Sequence, residues 1–226
     1  MFSNEDAVPR GPSERSVYQQ AIGGGFAVLP PSLRRYFGAI PRGCEGVGRG
    51  VYEHAGYVGP RFLRPLMRLF AGRGVLFPDA ATSVPFTVVN TPESDGSLSA
   101  CRDFMFPGGR QRMVDAMTAG PDGLIVDRLG HRGGLEVRLR PQVRADGLRL
   151  RSVALALHVG PIRIPLPSVA RVTVDERVDS DDPSRQEVDV RVRVRGLGEV
   201  FRYRGRFVYR IRSVGGNPVG GVVPPA

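Results

Sequence analysis

Hydrophobic and polar positions change their period once along the chain. From Ser13 to about Gly74 the punctuation is helical. In "PSERSVYQQAI" Ser13 can cap a run with Val17, Gln20 and Ala21 on one face, and Gly23 to Gly25 end it. "LPPSLRRYFG" opens on Pro31 and stops at Gly38, which allows about two turns. "GPRFLRPLMRLFAGRG" places Phe62, Leu66, Leu69 and Phe70 on one helical face, with Pro65 in the first turn and Gly72 as the stop. The glycine-dense "GVGRGVYEHAGYVG" between these helices alternates like a strand or an extended loop.

From Ser83 onward the period is two. "VPFTVVN" and "SLSACRDFMF" flank the turn composition "TPESDG" and predict a hairpin. "RQRMVDAM", "GLIVDRLG" and "GLEVRLRPQV" follow, and in the last Leu135, Val137 and Leu139 oppose Glu136, Arg138 and Arg140, as in a half-buried strand. "GLRLRSVALALHVG" shifts phase around Ser152, which predicts a bulge or a strand that becomes covered on both sides. With "PIRIPLP" and "ARVTVDERV" the series reaches about nine or ten strands. The expected fold class is α+β, mostly antiparallel β: a curved sheet or barrel with two or three N-terminal helices. The expected organisation is a tail over 1–12, one domain over 13–212 (helical cap 13–74, sheet or barrel 83–212) and a tail over 213–226.

The most regular stretch is also the most basic. In "EVDVRVRVR" the valines hold positions 188, 190, 192 and 194, and the odd positions from Glu187 to Arg195 are all charged. After "GLG" the parity flips, with Phe201, Tyr203, Phe207, Tyr209 and Ile211 odd and Arg202, Arg204, Arg206 and Arg210 even. This is a hairpin with an apolar inner face and a charged outer one. The net charge of +10 raises the prospect of an acidic partner. Opposite parity, however, keeps the aromatics off the arginine face, so no stacking platform forms and nucleic acid is not the expected partner. Every basic side chain is arginine, and the absence of lysine excludes Schiff-base chemistry and a phosphate-loop lysine.

Few residues remain to carry chemistry. Three histidines, His54, His131 and His158, show no metal-ligand spacing, and Cys44 and Cys101 lie far apart; two buried free thiols are the expected reading, with a disulfide between them the alternative. No glycine-rich stretch follows a strand and opens a helix, so no nucleotide fold and no cofactor is expected. Glu53 and His54, beside Tyr52 and Tyr57, are the candidate acid/base pair. Tyr52, Tyr57, His158, Phe201, Tyr203 and Phe207 are the candidate ligand contacts. Asp103, Asp115 and Asp127 recur on different strands and converge if they face a barrel interior. The N-terminus lacks an apolar signal core and no run is long enough to span a bilayer, which predicts a soluble, cytoplasmic protein.

"LPPSLRRYFG", "GVGRG" and "IPLPSVARVTVDE" through "YRGRF" together resemble a bacterial family known as domain of unknown function 4166, over about Tyr18 to Tyr209. The resemblance implies a metabolic setting, because such domains are sometimes joined to a dehydrogenase-like NAD(P)-binding domain. It supplies no catalytic residue, and an oxidoreductase partner would then be a separate polypeptide. The expected function is binding of an apolar, lipid-like small molecule inside the barrel. The alternative is a cofactor-independent cyclase or isomerase of secondary metabolism using the same pocket.

Overall fold

The computed structural model describes residues 15–214. Two short helices, α1 (Val17–Ile22) and α2 (Pro31–Phe37), precede the long strand β1 (Cys44–Tyr57) and a third helix, α3 (Arg64–Ala71). Ten strands follow: β2 (Ala80–Pro92), β3 (Leu98–Phe106), β4 (Gly109–Ala119), β5 (Ile125–Leu129), β6 (Leu135–Val143), β7 (Gly147–Val159), β8 (Ile162–Pro165), β9 (Ala170–Val178), β10 (Gln186–Val194) and β11 (Gly198–Ser213). Each pairs antiparallel with its neighbours in the order β6-β5-β4-β3-β2-β1-β11-β10-β9-β7, and a β6–β7 pairing closes the ring. The result is a closed ten-strand barrel, with β8 hanging from the end of β7 as an eleventh strand. Closure leaves no free edge along the barrel wall, which removes the usual route to edge-to-edge aggregation.

The expected barrel and its helices are therefore present, with local corrections. The first helix is capped by Ser16, in a reciprocal capping box with Gln19, because helical geometry begins at Val17; Ser13 lies outside the described residues. "GVGRGVYEHAGY", expected as a strand or an extended loop between the helices, is a strand and begins two residues earlier at Cys44, so the zone 13–74 is not helical throughout. The phase shift near Ser152 is a bulge: Arg138 pairs with Ala154 and Leu139 with Ser152, so Val153 has no partner on β6. The expected tails lie outside the described residues, apart from Val214 and from Ser213, which ends β11. Cys44 and Cys101 are free and half-buried. Among the described residues no helix is long and apolar enough to cross a membrane.

The two ends of the barrel differ. At one, Val17 and Tyr18 of α1 and Leu33 and Phe37 of α2 pack with Ile125, Leu139 and Leu148 into a closed floor. At the other, α3 runs across the opening. Its approach is tied to β11 where Val58 and Gly59 donate to the Val200 carbonyl, and its exit is tied to the far wall where His131 donates to the Arg73 carbonyl. Met67 is the buried residue of this helix, whereas Phe62 just before it and Leu69 are exposed. The apolar face expected from spacing alone is thus split, part of it turned inward and part outward.

Outside, most of the arginine stripe is engaged in ion pairs. Arg191 and Arg202 reach Asp189 at 2.6 and 3.3 Å, Arg204 reaches Glu187 at 2.9 Å, and Arg206 reaches Asp179 at 3.3 Å. Inside, the glycines of "GVGRG" answer a packing need. A methyl on Gly46 would collide with the Tyr209 ring, one on Gly48 with Val88, and one on Gly50 with the Arg206 carbonyl. Bare backbone at these positions lets the aromatics of β11 lie flat against β1.

Candidate functional site

Ten strands enclose more space than their side chains fill. The barrel holds a cavity of about 410 Å³. Toward the α3 end its wall is hydrocarbon: Leu66 and Phe70 from α3, Val192 and Val194 from β10, and Leu166 and Leu197 from the connecting segments. An aromatic belt lines the middle. There Tyr52 stacks on Phe86 at 3.7 Å between ring centres and touches Tyr203 at 5.0 Å.

Deeper, toward the floor, the wall changes character. Arg102, Asp115, Asp127 and Glu176 face the cavity, overlooked by Tyr18 of α1 and Tyr36 of α2. Each charged residue sits in the apolar parity of its strand. Arg102 lies between Ala100 and Phe104, Asp115 between Met113 and Met117, Asp127 between Ile125 and Leu129, and Glu176 between Val174 and Val178. Arg102 donates to Asp115 across the β3–β4 pair. Asp127 comes from β5, and Glu176 approaches from β9 on the opposite wall.

One guanidinium among three carboxylates leaves acid in excess. Burial pushes the Glu176 carboxyl up to about 7, against the pull of Arg102 and a hydrogen bond from Tyr36. Burial, with repulsion from Asp115, raises Asp127 well above the carboxylate range and favours its neutral form. Burial also lifts Asp115, opposed by its Arg102 partner. Burial works against the charge on Arg102, but Asp115 and the surrounding phenols more than offset this and hold its proton firmly. Burial raises the Tyr203 phenol to about 12. Three carboxylate oxygens in this group, Asp115 Oδ2, Asp127 Oδ1 and Glu176 Oε2, are buried without a hydrogen-bond partner. Unsatisfied buried acceptors of this kind are rare in proteins and call for a donor.

The residues singled out from sequence divide between the two faces of the wall. Tyr52, Tyr57, Phe201, Tyr203 and Phe207 line the cavity, and Tyr57 also donates to the Pro60 carbonyl at 2.7 Å. Glu53 falls where the β1 register slips; it is exposed and lies 3.9 Å from both Arg204 and Arg206 on the outer face. His54 is half-buried and does not line the cavity. His158 bonds Glu136 at 2.7 Å, in an outer cluster with Arg163 of β8. Of the three acids whose convergence depended on the face they take, Asp115 and Asp127 face the interior; Asp103 faces outward to Arg112 at 2.7 Å. Arg102, Glu176, Tyr18 and Tyr36 were not among the sequence candidates. Charged residues in apolar parity were the available signal for the first two.

The fold and cavity define a closed antiparallel β-barrel with a mostly apolar interior and a buried polar cluster at its base. The family model described as domain of unknown function, DUF4166, matches residues 29–207, and the chain belongs to that family. The match spans α2, strands β1 to β10, β11 as far as Phe207, and all four charged cavity residues. No curated protein matches the chain.

Proposed function

We propose that the barrel binds an amphipathic small molecule, with its hydrocarbon body along the valine and aromatic wall and a donor-bearing end, a hydroxyl or an amine, at the base. The observation that carries this reading is the set of orphaned carboxylate oxygens of Asp115, Asp127 and Glu176 facing an apolar cavity. A site of about 410 Å³ is in the range that small-molecule pockets occupy. Its arrangement, apolar walls with a few converging polar groups, suits one oriented guest. A cytoplasmic setting belongs to the same reading.

The test is displacement of an environment-sensitive apolar dye by alkyl ligands sharing one chain and differing in head group. The alcohol and the amine are expected to displace it and the carboxylate to compete poorly. Glu176→Gln should weaken the preferred ligand roughly tenfold, as for loss of one charge-assisted hydrogen bond. Failure of the whole series to displace the dye would count against the proposal.

A second reading is favoured by a specific feature. A carboxyl biased to its neutral form, Asp127, shares a water-poor cavity with Glu176, whose pKa is raised to about 7. These are the ingredients of acid–base catalysis in a cofactor-independent isomerase or cyclase. In this reading Asp127 is the acid and Glu176 the base, Glu53 and His54 have no role, and a separate oxidoreductase acts before or after the step. Turnover that survives Asp127→Asn and Glu176→Gln would exclude it.

A further inference from the structure

The cavity opens at the α3 end. Leu66 and Leu197 both line it and are exposed at the surface. Around this mouth other large apolar side chains stand in water. Phe62 is 72% exposed and Leu69 54%, and across the opening Ile162 is 62% and Val169 48%. They project from separate segments: the α3 strap, the β7–β8 turn with its strand, and the β8–β9 connection.

Charge follows the same axis. The connections at the mouth, residues 58–79, 107–108, 130–134, 160–169 and 195–197, hold Asp79 as their sole carboxylate, and its Oδ2 accepts from Gln111. They carry Arg61, Arg64, Arg68 and Arg73 on the strap, with Arg132, Arg163 and Arg195 facing them, of which Arg163 is paired with Glu136 of β6 at 2.9 Å. At the closed end the strand connections are acidic instead, with Glu93, Asp95, Asp122, Asp146 and the run Asp179, Asp181 and Asp182. Arginines of the N-terminal helices, such as Arg34 and Arg35, offset that charge. Both described termini, Arg15 beside α1 and Val214 bonded to Gly43, also lie at the closed end.

We propose that the mouth docks on an anionic lipid bilayer, with the arginines at headgroup level and Phe62, Leu69 and Ile162 dipping into the interface. Single apolar side chains on separate loops, ringed by arginine, fit a fluid surface better than the flat contiguous patch a protein partner would need. Arginine attracts anionic headgroups, and the almost acid-free rim meets little opposition from its own carboxylates. The same contact places the open cavity against lipid, so the guest enters from the bilayer without crossing water. This extends the ligand-binding reading by naming the source of the guest. It is tested separately, because vesicle binding is measured on the protein whether or not the cavity is filled.

The experiment is co-sedimentation with phosphatidylcholine vesicles, with and without phosphatidylglycerol, using the intact protein. The protein is expected on the mixed vesicles, not on phosphatidylcholine alone, and to be released by salt. Arg64→Gln with Arg68→Gln should weaken binding roughly tenfold or more. Phe62→Ser with Leu69→Ser should do the same at an unchanged melting temperature. Ile162→Ser, on the facing flap, gives an independent check if the strap variants misfold. Equal binding to both vesicles, no binding to either, or full binding by all variants overturns the proposal, and the second of these returns the patch to a protein partner.

Discussion

Arg102 on β3 and Asp115 on β4 form an ion pair inside the barrel, on a wall whose other inward positions are nearly all apolar. Removing one partner strands the other in a poorly solvated site. Arg102→Met is therefore expected to destabilise the fold by about 3 kcal/mol, read from urea unfolding. Arg102→Met combined with Asp115→Leu should recover most of that loss, because neither partner is then left buried without the other. A double variant as unstable as the single one would show that the pair holds the barrel by geometry rather than by charge balance.

Glu176 links stability to pH with a definite sign. Its carboxyl titrates near 7 in the folded protein against an ordinary value of 4.5. Between those values the folded state keeps a proton that the unfolded state releases. The stabilising contribution is present in full below the lower value and falls as pH rises, by on the order of 3 kcal/mol in total. Melting temperature should decline across this window in the native sequence, with a shallower decline in Glu176→Gln. An identical slope in the two proteins would assign the dependence to another group.

Gly50 of β1 should tolerate no side chain. A methyl on Gly50 would lie 2.0 Å from the Arg206 carbonyl oxygen, a backbone atom that cannot rotate aside. Gly50→Ala is expected to cost about 3 kcal/mol, at the upper end of overpacking effects. Gly24 meets nothing within 4 Å, so Gly24→Ala should be nearly silent in the same thermal melt.

The outer arginines should matter little one at a time. Arg204 is 38% exposed and shares Glu187 and Glu53. Arg204→Ala is expected to cost no more than about 1 kcal/mol, as exposed pairs usually do. A drop of several kcal/mol in chemical denaturation would show that the outer network acts as one unit.

The barrel was legible because alternation fixes which side of a strand is wet. "EVDVRVRVR" and "FRYRGRF" declare their inner and outer faces residue by residue, and the structure keeps that parity, with Val188, Val190, Phe201 and Tyr203 on the cavity wall. The bulge at Val153 was visible for the same reason. The site was legible only in part. Functional side chains crowd together in sequence around Glu53 and His54, but a strand sends such neighbours to opposite faces, and a slip in register leaves Glu53 outside. Arg102, Asp115, Asp127 and Glu176 lie far apart in the chain and meet through strand order and closure of the ring. Strict parity would have marked all four as inward-facing. Their convergence is a property of the closed barrel, which no local pattern contains. The third helix misled for a related reason: spacing locates an apolar stripe but not the part of it that the mouth leaves uncovered.

Whether the cavity receives a guest is tested most directly by native mass spectrometry of the purified protein alongside a Val190→Phe variant. Val190 is buried on the cavity wall, so the larger ring occupies the space that a ligand needs. The native sequence is expected to carry an added mass released on denaturation, or to take one up from the alcohol or amine series, and the filled variant to carry none at a similar melting temperature. A native protein that stays at its bare chain mass with every ligand offered would contradict the account, as would a filled variant that binds as well as the original.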